Sequence, residues 1–230
     1  MKTFFRFSVL ILLLFVACRT DKQPDKKQRQ KTELQKIKPE KKPNKIISTR
    51  KNWVELKNLD TSFVFDLRYA TTNNFVHKKM YPCARCFVRP EVADALLAIQ
   101  KELKKRHLRL KLFDCYRPGK VQQELWNIKP DPHYVANPKK GSMHNRGVAV
   151  DLTIVDANGK ELGMGTPFDY FGKKAYHAYK KLPDTVLKNR LFLKKLMQKH
   201  GLTPITSEWW HYSYRKKAYP LEQWVWKCDE

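Results

Sequence analysis

Two short stretches of this chain hold side chains that could do chemistry together. In "GSMHNRGVAVDLTI", residues 141–154, His144 and Asp151 stand seven positions apart with a glycine and small apolar residues between them. In "SEWWHY", residues 207–212, Glu208 and His211 stand three apart. Zinc in a hydrolytic site usually takes three protein ligands and leaves a fourth position for a water, which it acidifies into a usable nucleophile. His144 and Asp151 could supply two ligands, and the second stretch offers a third. On a perfectly regular strand, residues three apart face opposite sides, so Glu208 and His211 can serve one site only if the segment twists or bulges. Each residue also has an ordinary explanation when taken singly: a lone histidine in the core or on the surface, Asp151 capping a turn, Trp209 and Trp210 filling the interior. The combination is what counts, because His77, His107, His133, His177 and His200 have no comparable setting.

Positioning such residues needs a scaffold, and the hydrophobic pattern supplies one. "DTSFVFDLRYATTNNF" alternates apolar and polar residues and then breaks into Thr and Asn, which predicts a strand running into a loop near Tyr69 to Phe75. "RPEVADALLAIQKELKKRH" places Pro90 in a first helical turn and repeats Val92, Leu96, Leu97, Ile99 and Leu103 at helical spacing. "LRLKLFDCY" alternates as a strand up to Arg117, and "KVQQELWNI" predicts a short helix. The "GSMHNRGVAVDLTI" stretch reads as a loop followed by a strand. "KNRLFLKKLMQKHG" predicts a helix stopped by Gly201, and "SEWWHYSY" a last strand. Strands and helices without regular βαβ alternation indicate an α+β domain over residues 48–230, a small mixed or antiparallel sheet flanked by helices. There is no internal repeat, and 230 residues hold one such domain rather than two.

The beginning of the chain reads differently. Lys2 and Arg6 precede an apolar run from Phe7 to Ala17 that ends in "FVAC". That run is too short for a hydrocarbon core that needs about 20 helical residues. Its close on a small residue and Cys18 resembles a bacterial lipoprotein signal: residues 1–17 would be removed and Cys18 would carry the lipid. From Arg19 to Lys51 there are 13 basic and 4 acidic side chains and almost nothing apolar, so residues 18–47 are expected to form a disordered basic tether. The chain carries a net charge of +25, yet no nucleic-acid motif accompanies it. Phospholipid head groups or anionic wall polymers are the expected acidic partners of an exported, membrane-anchored protein. Cys83, Cys86, Cys115 and Cys228 remain, an even number that allows one or two disulfides and three connectivities if all pair. The "CARC" at 83–86 lacks the βαβ context of a redox motif and the second Cys pair of a zinc site.

"YATTNNF", "DCYRP", "SMHNRGVAVDLT", "MGTPFD" and "SEWWHY" follow one another between Tyr69 and Tyr212. In that order they resemble the zinc D-alanyl-D-alanine dipeptidases of the VanX type. The resemblance implies one zinc ion held by His144, Asp151 and His211, with Glu208 as the catalytic base and Arg117 as the positive charge facing the scissile carbonyl. It further implies that Ser142 and Asp169 hold the dipeptide, Asp169 through the free ammonium group, with Tyr69 and Asn74 in a matching substrate loop. The substrate implied is D-Ala-D-Ala derived from peptidoglycan. Two rivals stay open: a zinc D,D- or L,D-carboxypeptidase trimming longer stem peptides, and a silent peptidoglycan-binding lipoprotein. Against the silent reading, binding alone would not require a base such as Glu208.

Overall fold

A computed structural model describes residues 51–228. The signal-like run, Cys18 and the basic tether lie outside those residues. In chain order the elements are β1 (Val54–Glu55), β2 (Val64–Phe65), β3 (Phe87–Val88), α1 (Pro90–Lys104), β4 (Arg109–Asp114), α2 (Gly119–Ile128), β5 (Ala149–Val155), α3 (Asp184–Lys199), β6 (Leu202–Pro204) and β7 (His211–Tyr214). The principal sheet has five strands in the order β2-β4-β5-β7-β6, and β1 and β3 form a separate antiparallel pair. Only β2 and β4 run parallel within the five; the other pairings are antiparallel. This is the mixed α+β sheet expected from the pattern.

The centre of the sheet is β5, every residue of which is buried. Its small and β-branched residues suit a strand covered on both faces, and only Asp151 and Thr153 break the apolar run. α1 places Val92, Leu96, Ile99 and Leu103 on its buried face and packs on β4 and β7, while α3 packs on β6. Gly201, at φ +82°, ends α3 in the left-handed conformation that glycine adopts without penalty.

Three strand expectations needed correction. The alternating stretch before Tyr69 yields only the two-residue β2, and the chain then turns through a 3₁₀ turn at Arg68–Ala70. The final strand begins at His211 rather than at Ser207, so Glu208 stands in the bend that precedes it. β6 was not foreseen at all: three residues after a helix stop carry too little pattern to read.

Two disulfides, Cys83–Cys228 and Cys86–Cys115, resolve the cysteine arithmetic. The two cysteines of "CARC" therefore go to distant partners and form neither a redox pair nor a zinc knuckle. Cys83–Cys228 ties down the C-terminal segment, whose Trp224 ring stacks on Tyr116 at 4.7 Å and whose Trp226 indole N–H donates to the Cys83 carbonyl.

Candidate metal centre

Sheet register brings the first two site residues together. Asp151 on β5 lies directly opposite His211 on β7, so their side chains leave the same face, and cross-strand neighbours are close enough to touch. His144 arrives from a 3₁₀ turn, His144–Arg146, that reverses the chain just before β5. That turn ends at Gly147, φ +71°, where an added Cβ would run into the Trp53 ring. The glycine between the histidine and the aspartate is thus what lets the turn fold tightly enough to bring His144 back over the strand.

Three potential ligand atoms converge. His144 Nε2 lies 3.1 Å from His211 Nδ1, His211 Nδ1 lies 3.0 Å from Asp151 Oδ1, and Asp151 Oδ1 lies 3.4 Å from His144 Nε2. Ligands on a tetrahedral zinc, each about 2.0–2.2 Å from the metal, stand roughly 3.4 Å apart, so this triangle fits one ion. The donor chemistry fits as well. His144 Nδ1 sits 2.7 Å from the Cys115 carbonyl oxygen, to which it donates, and this leaves the Nε2 lone pair aimed inward. All three residues are buried, and among the described residues they are the one His/Cys/Asp/Glu group that could hold a metal.

Charges respond to this crowding. Burial opposes protonation of His144, but the neighbouring Asp151 outweighs it and raises the ring above the ordinary imidazole range. Burial keeps His211 below that range despite the same carboxylate. For Asp151, His144 and His211 overcome the burial penalty and hold the carboxyl well below the usual range. Glu208 is pushed well above its usual value, first by burial and then by Asp151 and Asp169. Its Oε2 lies 3.9 Å from His211 Nδ1, beside the ligand triangle rather than in it.

Arg117 is held in place from below. Its Nε and Nη2 donate to Asp114 Oδ2 at 3.0 and 2.7 Å, and Nη1 donates to Gln122 Oε1 at 3.0 Å. Three of five guanidinium N–H groups are spent in this way. Nη2 comes within 4.0 Å of Asp151 Oδ2, and the guanidinium carbon sits 5.0 Å from the Tyr69 ring centroid. Asp114 was missed in the sequence, although "DCYRP" places it three residues before Arg117. It pairs across β4 and β5 with Asp151 and also accepts from the Tyr81 hydroxyl at 2.6 Å and the Cys115 N–H. Asp114, Asp151 and His211 thus form one row across three adjacent strands. Asn145 was missed too: it accepts from the Ser142 N–H and donates to the Arg117 carbonyl, locking the His144 turn to the arginine.

The row opens into a cavity of about 290 Å³ lined by Tyr69, Arg117, Ser142, Asp169, Glu208 and the three ligand candidates. Asp169, in the left-handed region at φ +56°, accepts from the Tyr69 hydroxyl at 2.9 Å. Burial and the nearby Asp151 push its carboxyl up to about 7. The Ser142 hydroxyl oxygen accepts from the His144 N–H at 3.2 Å. Asn74 is not brought to the cavity. Its amide donates to the carbonyls of Arg68, Thr71 and Lys78, and its oxygen accepts from Val76 N–H, so it braces the loop that carries Tyr69. Arg215 lines the cavity and was not anticipated.

A buried group that could hold a metal, with a carboxylate and an arginine beside it, suits a metallopeptidase. Residues 49–226 match the family model described as Peptidase_M15, D-ala-D-ala dipeptidase, and the chain belongs to that family. It is 36% identical over 169 residues to the D-alanyl-D-alanine dipeptidase of Escherichia coli (strain K12), covering 73% of this chain and 88% of that one. To the D-alanyl-D-alanine dipeptidase of Enterococcus faecium it is 29% identical over 177 residues, covering 68% and 88%. A solved structure of VanYB in complex with D-alanine-D-alanine aligns with 56% of this chain and 72% of that one at 17% identity and a TM-score of 0.38.

Proposed function

We propose that this protein hydrolyses D-alanyl-D-alanine to two molecules of D-alanine, using one zinc ion held by His144, Asp151 and His211. The convergence of those three ligand atoms within 3.4 Å of one another, beside Glu208, carries the reading. Zinc bound there would polarise the scissile carbonyl and make a water acidic enough to attack it. The chain's own groups do the rest. Glu208 accepts the water's proton and returns it to the departing amine, a task suited to a carboxyl that burial, Asp151 and Asp169 raise well above its usual range. Arg117, aimed by Asp114 and Gln122, stabilises negative charge developing on the carbonyl oxygen without having to reorganise. Asp169, which accepts from the Tyr69 hydroxyl, would pair with the free ammonium of a dipeptide. The cavity volume lies just below the ~300–1,000 Å³ typical of small-ligand sites, which favours a substrate this short.

Export and anchoring through a lipid on Cys18 form part of the same proposal. Two disulfides support an oxidising compartment, and a diacylglyceryl-modified Cys18 in membrane-extracted protein, read by mass spectrometry, is the expected result. An unmodified mature protein in the soluble fraction would exclude the anchor.

The decisive assay supplies purified protein with zinc and compares D-Ala-D-Ala with L-Ala-L-Ala. Release of D-alanine, lost on chelation and restored by zinc, is expected. Equal cleavage of both stereoisomers, or none of either, overturns the assignment.

A further inference from the structure

Ile205 lines two hollows: the cavity of the metal centre and a second one of about 440 Å³ that shares no metal ligand with it. The second is walled by His177, Lys180, Lys194, Pro204 and Thr206. A smaller hollow of about 210 Å³ shares His177, Lys180 and Lys194 with it and adds Arg190 and Lys188 over Leu187 and Leu191. Among the described residues, no carboxylate lines either hollow.

Arg190, on α3, is the unusual member. It is only 5% exposed, and among the described residues no carboxylate pairs with it. Its Nε donates to the Met164 carbonyl, its Nη1 to the carbonyls of Lys174 and Tyr176, and its buried Nη2 meets no acceptor among the described residues. Burial without a counter-charge lowers its pKa to about 10. His177 Nε2 is likewise buried without a partner among the described residues, and burial together with Lys194, Arg190 and Lys180 pushes that ring down to about 4. A buried cation with no anion nearby is costly, and neighbouring cations raise the cost. Lys180, Lys188 and Lys194 share this lining with Arg190.

We propose that the paired hollows bind a phosphoryl group, whose oxygens are taken by Lys180, Lys188 and Lys194 while Arg190 supplies fixed positive potential from behind. A phosphoryl group fits better than a carboxylate because several oxygens, carrying more charge, can take donors that arrive from separate directions. The apolar patches of Leu187, Leu191 and Pro204 leave room for the carbon skeleton of an ester. The ligand is thus a free phosphate ester or a phospholipid head group, and the same side chains would recognise either.

The test uses the full chain. Inorganic phosphate, titrated against a chloride control of equal ionic strength, should bind saturably and raise the His177 pKa read by NMR. A Lys180→Gln/Lys194→Gln variant should weaken phosphate binding by about tenfold or more while leaving dipeptide hydrolysis unchanged, which also verifies its fold. Vesicles of phosphatidylglycerol, compared with phosphatidylcholine, separate the two sources: a His177 shift on the anionic vesicles alone assigns the head group, and a shift with soluble phosphate alone assigns the free ester. A His177 ring unmoved by phosphate and by both vesicles, or phosphate affinity unchanged in the double variant, overturns the site.

Discussion

The His144 ring donates through Nδ1 to the backbone carbonyl of Cys115 across 2.7 Å, and the Cys115 side chain is bonded to Cys86. One disulfide therefore fixes the residue that orients the proposed metal ligand His144. The bridge spans 29 residues, a loop whose closure entropy contributes about 3–4 kcal/mol to stability. Its second effect is local, because groups that orient ligands alter metal affinity by about 10–100-fold when disturbed. A Cys86→Ser/Cys115→Ser protein should melt lower and also bind zinc at least several-fold more weakly in a competitive chelator titration. Unchanged zinc affinity in a folded double variant would confine the bridge to a structural role.

Metal retention should depend on His144 and on pH in a defined direction. Asp151 holds the His144 proton more tightly than in a free imidazole, and a proton on Nε2 excludes the metal. Zinc affinity should therefore weaken as pH falls, beginning at a higher pH than an ordinary histidine would give. Metal analysis of His144→Ala or His211→Ala should show zinc largely lost. Full zinc in both variants would remove the centre as drawn.

Glu208→Gln should keep the metal and lose turnover by about 10²–10⁴-fold, the usual range for a general acid–base group. The expected pattern is a fall in kcat with zinc content unchanged by metal analysis. Near-normal kcat would assign the proton transfers elsewhere.

Much of this centre was legible in the sequence because it is local. His144 and Asp151 are joined by one turn and one strand, and Glu208 and His211 by one bend. The difficulty with residues three apart on a strand dissolves because β7 starts at His211, leaving Glu208 free to turn inward. What stayed hidden depends on register and on distant segments. Asp114 acquires its role by standing opposite Asp151, which no spacing reveals. Asn74 sits in a loop whose residues suggest a substrate contact, yet its bonds all close on that loop's own backbone. The disulfide pairing and the basic hollow likewise exist only once remote strands and helices have met.

Arg117 and Asp114 form a buried pair, and breaking such a pair costs about 3–5 kcal/mol because one charge is left without a partner. Asp114→Ala should lower the melting temperature by roughly 6–20 °C in a domain of this size. Arg117→Lys keeps a charge but cannot make the two-pronged contact with Asp114, so kcat/KM should drop by about tenfold or more with zinc retained. Wild-type kcat/KM in Arg117→Lys would mean that positive charge alone suffices at this position.

The dipeptidase and carboxypeptidase readings separate on substrate length. Asp169 is half-buried in the cavity wall and accepts from the Tyr69 hydroxyl, and its carboxyl is lifted to about 7 by burial first and Asp151 next. A substrate ammonium placed against it would hold it ionised and gain a charge-assisted contact out of water, stronger than a neutral hydrogen bond. An acyl group at that point removes the positive charge, adds bulk and leaves the carboxyl without its partner. Free D-Ala-D-Ala should therefore be cleaved at least roughly 100-fold better than its N-acyl form, a difference of about 3 kcal/mol in transition-state binding. Asp169→Asn should shrink that preference with zinc retained. The pH profile adds a check whose sign follows from the raised carboxyl: kcat/KM for the free dipeptide should climb as pH rises through the Asp169 titration, and that limb should vanish in Asp169→Asn. Equal cleavage of free and acylated substrates by the unaltered protein would instead mean that the cavity accepts chain continuing past Asp169, and the carboxypeptidase reading would take its place.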